Sequence, residues 1–151
     1  MSYSITEAAE ELRTVTDWQK TPVELTGEDY IFLILGGIRR LFVDTNRAFL
    51  YDKAKICHEG DIDEIEDNDG EGDLVYDEDF PLDEQVYILL CAQIAFFKRV
   101  ATDVNNIVGY TTDALSVTNA DKPYANLKDT IDKLENERRI VYYKMVRYTI
   151  L

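Results

Sequence analysis

The chain has 151 residues, among them ten Tyr, six Phe, seven Gly and three Pro. That length suits one domain with a real core, and the scarcity of turn residues weighs against a many-turned β fold. The net charge is −14, yet twelve Asp or Glu and no Lys or Arg fall between Cys57 and Phe80, and removing those twelve leaves −2. A near-neutral body with one acidic appendage lacks the basic stripe of a nucleic-acid-binding face.

Ser4 followed by Glu7 is a capping box that opens a short helix to about Thr16, with Ile5, Ala8, Ala9 and Leu12 as its apolar stripe. The N-terminal stretch is amphipathic and acidic without an apolar h-region, so no signal peptide is expected. Asp17 to Val23 is a connector, and its Trp18 either plugs the end of a core or meets a partner. Thr26 caps a second helix, with Glu28 and Asp29 in its first turn, where the helix dipole favours negative charge. Tyr30, Leu33, Ile34, Ile38, Leu41 and Phe42 form its buried face, and it ends near Asp44 to Asn46. Gly36-Gly37 interrupts this helix. Its simplest reason is close approach of another helix, because the pattern lacks the lysine and spaced glycines of a phosphate loop.

The segments 49–57 and 73–80 are short and rich in aromatic and β-branched residues. They predict a β-hairpin, or a pair of extended arms, with the acidic run at its tip. Such an arm is expected to contribute little to the core and to be solvated. The stretch Asp83 to Val108 is the organising element. Pro81 and Asp83 mark its start, and Val86, Leu89, Leu90, Gln93, Phe97, Val100 and Val104 recur at helical spacing. Tyr87, Ile88, Cys91, Ile94, Ala95 and Phe96 fill most of the remaining circumference, so this is a central helix with at least two others packed on it. Its apolar run is too short to span a bilayer, and no membrane partner is expected. Gly109 is a candidate C-terminal stop, and Tyr110 to Ala120 reads as a polar loop. Asp121 caps the last helix, with Pro123 in its first turn and Leu127, Ile131, Leu134, Val141 and Met145 as its core stripe. Glu135 and Arg139 stand four residues apart as a helix-supporting pair. From Ile140 onward the helix is apolar and aromatic on more than one side. Tyr142, Tyr143, Tyr148, Ile150 and Leu151 are therefore candidate subunit or partner contacts, or else wrap onto the core.

In the acidic run, Asp67, Asp69, Glu71, Gly72, Leu74 and Glu78 fall at positions 1, 3, 5, 6, 8 and 12 of an EF-hand calcium loop, with Asp73 at position 7. The flanks do not fit: the incoming segment has no apolar helix stripe, and Pro81 forbids a normal outgoing helix. The loop is thus a weak metal candidate beside the reading of a solvated or partner-facing arm. His58 is the only histidine, so a zinc site would need Cys57 and the remote Cys91. Two cysteines are not a disulfide framework, which favours a cytoplasmic setting. No nucleophile motif has a third member, and Asp103 is the one carboxylate on the central helix that could stand as a catalytic candidate. No catalytic residue and no cofactor is expected, and the chain reads as a non-enzyme.

Two blocks resemble a known family. Leu25 to Arg47, LTGEDYIFLILGGIRRLFVDTNR, is similar to the GIxRLYVDTGR-type segment of small tailed-bacteriophage proteins. The block from FPLDEQVYILLCAQIAFFKRV to YTTDALSVTNADKPYANL looks like the same head–tail connector, adaptor or head-completion proteins. The resemblance covers about Leu25 to Met145, and the acidic arm is its point of departure. It implies a virion structural protein, assembled in the host bacterial cytoplasm, that forms a homo-oligomeric ring, usually twelve-fold. Such a ring sits beneath the portal, docks the tail or the next connector, and extends a channel through which genomic DNA passes without specific binding. The competing expectation is a small acidic binding or regulatory module, either calcium-responsive through residues 67–78 or a DNA mimic. The fold expected under both is mainly α: a single domain, residues 1–151, forming a small bundle of about four helices around a long central one. An acidic loop or β-hairpin arm (57–80) is inserted between the second and third helices, and 140–151 is a candidate partner-binding end.

Overall fold

The computed structural model describes residues 2–19, 21, 23–58, 72–111 and 121–150; side chains are described through 103 and again at 126–146. The elements in chain order are β1 (Tyr3–Ser4), α1 (Ile5–Thr16), α2 (Gly27–Asp44), β2 (Ile56–His58), β3 (Leu74–Tyr76), α3 (Leu82–Thr111) and α4 (Asp121–Ile150). This is the small helical bundle with an inserted hairpin that the sequence predicts.

The helix ends follow from local chemistry. Ser4 Oγ accepts from the Glu7 amide and caps α1. At α2 the cap is reciprocal: Thr26 Oγ1 accepts from Asp29 N at 3.3 Å, and Asp29 Oδ2 accepts from Thr26 N at 2.8 Å. That backbone donor, with the Thr26 hydroxyl and Arg99 behind it, holds the Asp29 carboxyl below the usual carboxylate range. α2 closes with Asn46 in the left-handed region, φ 61°. The Asn46 amide donates to Val43 O at 3.1 Å and the Arg47 amide to Phe42 O at 2.7 Å, so two orphan carbonyls are satisfied in a Schellman closure.

α3 is the axis. It packs against α1, α2 and α4, as its all-round apolarity demands. Tyr87, Ile88, Cys91 and Ala92 join α1 and α2 in one buried cluster; Ile94, Phe96, Phe97 and Val100 join Leu127 and Leu134 of α4 in another. Gly37 explains the Gly36-Gly37 pair: a Cβ there would sit 2.6 Å from the Ile88 carbonyl oxygen, so α2 and α3 touch backbone to backbone at this point, whereas Gly36 faces open space.

Several expectations are corrected. Asp83 lies inside the first turn of α3 with Glu84, one residue past the helix start at Leu82. Gly109 does not stop α3, which runs on through Tyr110 to Thr111; the rest of the expected loop lies outside the described residues. Glu135 pairs with Lys98 of α3 at 3.1 Å rather than with Arg139, so the pair joins two helices instead of bracing one. Val86 and Ala95 face solvent.

The hairpin is real but shorter than expected, because 48–50 and 53–55 form single 3-10 turns. It also gains a third strand. β1 pairs antiparallel with β3, Tyr3 opposite Tyr76, and β2 pairs antiparallel on the other side, Cys57 opposite Val75, giving the order β1-β3-β2. Its base is core, contrary to expectation: Val75, Tyr76 and Phe80 are buried. The Tyr76 ring lies 5.9 Å from Phe42 and 5.6 Å from Phe80, while Tyr3 meets Phe80 edge-on at 5.3 Å. An arm rooted by four aromatic rings is anchored whatever its tip does.

Candidate functional site

The most developed polar feature is a groove where α2, α3 and α4 meet. α4 presents Glu135, Arg138, Arg139 and Tyr142 along one helical face, at spacings of three and four residues. α2 contributes Arg40 and Asp44, and α3 contributes Tyr87. The cavity measures about 390 Å³. A second hollow of about 350 Å³ continues past Tyr142 to Met145 and Val146, walled by Asn46, Arg47 and Glu84.

The carboxylates in this groove are engaged. Asp44 accepts from Arg40 Nε at 2.9 Å and from the Tyr87 hydroxyl. Glu84 accepts from Arg47, whose guanidinium also lies over the Phe42 ring. Glu135 is held by Lys98. Burial, reinforced by its bond to Asp44, pushes the Tyr87 hydroxyl above its ordinary value, so it stays a donor. Burial also pushes the Cys91 thiol up, with Arg138 opposing at 3.9 Å from the sulfur. A protonated, buried thiol is a poor nucleophile. Arg138 and Arg139 make no ion pair among the described residues. The arrangement offers two guanidiniums, neither ion-paired among the described residues, in a walled groove, which is chemistry for holding carboxylate or another anion.

Of the candidate contacts, Trp18 is 65% exposed, with one face against Phe97 at 5.4 Å, so it covers the core edge and still presents a surface. Tyr143 is 63% exposed, whereas Tyr142 is half-buried between Tyr87 and Tyr143. Tyr148 and Ile150 lie on the helical backbone of α4; their side chains, and Leu151, fall outside the described residues.

Of the calcium candidates, Asp67, Asp69 and Glu71 lie outside the described residues. Asp73 is exposed beside β3, and Glu78 is turned toward Lys55 at 3.6 Å. His58 Nδ1 faces the Gly72 carbonyl at 3.2 Å across the hairpin, and Cys57 Sγ donates to Lys55 O at 3.7 Å. Among the described residues no three His, Cys, Asp or Glu side chains converge to hold a metal ion, and no helix is long and apolar enough to cross a membrane. Asp103 is half-buried on α3.

Sequence reasoning did not assemble the groove. Arg39-Arg40 and Arg138-Arg139 are visible as doublets, but they stand about a hundred positions apart. The reachable signal was the doublet on α4 beside the stripe that includes Val141 and Met145. Comparison with protein families, with curated proteins and with solved structures finds no match for this chain.

Proposed function

We propose that this chain is a structural virion protein: a head–tail connector whose copies form a ring between the portal and the tail and extend the DNA channel. The observation that carries this reading is apolar surface on several elements at once. Phe49 is 83% exposed, Leu82 74%, Trp18 65% and Tyr143 63%. Scattered single apolar residues are ordinary, but a ring subunit needs two unlike adhesive flanks and a further face for the next ring. The resemblance of Leu25 to Arg47 and of the Phe80 to Leu127 region to connector proteins supports the same assignment. An acidic appendage suits a channel wall or rim that must let DNA slide, since it repels phosphate.

The test is the mass of the purified protein in solution, alone and with a candidate portal. A discrete ring or a stable portal complex is the expected result. A chain that stays monomeric with portal, yet changes on calcium addition in a manner lost in Asp67→Ala/Glu78→Ala, would instead assign it as an acidic regulatory module.

A further inference from the structure

We propose that the groove between α2, α3 and α4 is the receptor for the acidic segment of a second copy of this chain, an inference that rests on the ring reading. Charge supplies the first argument. Eight carboxylates fall within residues 59–71, with no Lys or Arg among them. The groove carries four arginines, Arg40, Arg47, Arg138 and Arg139, against three carboxylates that are already engaged. Among the described residues, Arg138 and Arg139 are the groove cations left over, and a guanidinium recognises carboxylate in a fixed planar geometry. In a chain of net charge −14, a groove with spare cations is complementary to the chain's own most anionic stretch.

Topology supplies the second argument. The acidic segment springs from β2 and β3, and β3 packs on α1. The groove runs along α4, which packs on α3 and makes no comparable contact with α1 or the sheet. The strands that carry the segment thus pack on α1, while the spare arginine doublet stands on α4. Two unlike surfaces that fit one another produce head-to-tail association, and a ring results where the rotation closes.

The test is a mixed-copy disulfide trap in the full-length chain on a Cys57→Ser background. One preparation carries Asp69→Cys and the other Arg139→Cys, mixed under oxidised glutathione. The expected result is a mixed disulfide between the two preparations, reduced about tenfold by adding Arg138→Gln and similarly by high salt, as for a contact built on charge-assisted bonds. A single chain carrying both cysteines that closes on itself, with no mixed product, overturns the second-copy assignment in favour of the subunit's own arm. Absence of both products overturns the groove as a receptor. Arg138→Gln that lowers neither product overturns the role of the arginines. Circular dichroism of each variant excludes loss of the fold as the cause. The mass measurement keeps the two proposals separable: a ring without the cross-link sinks the arm contact alone, and a cross-linked pair that never closes sinks the ring alone.

Discussion

Gly36 and Gly37 are adjacent in sequence and opposite in surroundings. Gly37→Ala would force a methyl group to 2.6 Å from a backbone oxygen, and a carbonyl inside a packed helix cannot rotate away. The expected cost of overpacking outweighs the gain in helix propensity, for a net loss of roughly 1–2 kcal/mol. Gly36→Ala meets nothing and is expected to gain up to about 1 kcal/mol. Urea unfolding of the two variants should therefore shift in opposite directions, and equal shifts would refute the close approach of α2 and α3. Tyr3 makes a second prediction. Burial, with Glu11 adding to it, pushes its hydroxyl up to about 12. The neutral form is the one the fold favours, so this contribution is fully present below the unfolded value near 10. It is lost as pH rises from there through about 12. The loss is at most about 3 kcal/mol, and Tyr3→Phe should flatten that part of the alkaline limb in melts between those pH values.

Elements show where a pattern can be read and where it cannot. The helices were legible because each carries a long apolar period, and α1 and α2 a side-chain cap as well: all four apolar positions named for α1 are buried, and Leu127, Leu134 and Met145 of α4 are too. β1 was not legible. A two-residue strand has no period, and its partner Tyr76 lies more than seventy positions away. Gly109 misled because glycine's preference for stops is a local bias, and it stands within a thirty-residue helix. The arm misled through composition: averaging 57–80 hides the short apolar run Leu74–Tyr76 and Phe80, in which Val75, Tyr76 and Phe80 are buried. Base and tip should accordingly respond differently. Tyr76→Ala removes a buried ring from a cluster of aromatics and should cost about 3–5 kcal/mol. Replacing residues 59–71, eight carboxylates with no Lys or Arg, by a short Gly-Ser linker relieves like-charge repulsion, and the change in loop closure is under about 1 kcal/mol. Thermal melts of the two variants check this; a large loss from the linker would place the acidic run among the stabilising elements.

Across the whole molecule, function depends on surfaces that the core does not need, and such surfaces carry the weakest sequence signal. Arg40 and Arg138 become neighbours only after α2 and α4 dock on α3, so no window of sequence contains the groove. For Trp18, in its connector, and for Tyr143, beyond the core stripe of α4, the sequence left surface and core readings both open, and the structure finds both side chains exposed. The C-terminal segment allows a decisive separation of core from contact. Among the described side chains, which end at residue 146, those of α4 buried in the two clusters are Leu127, Leu134 and Met145. Deleting Tyr148 to Leu151 leaves those three anchors in place, and helix ends are the least cooperative part of a fold. The expected outcome is a monomer with nearly unchanged helix content, by circular dichroism, and a weakened assembly by sedimentation. A truncated chain that unfolds would show those residues to be core, and the aromatic end of α4 would then have no claim as a subunit contact.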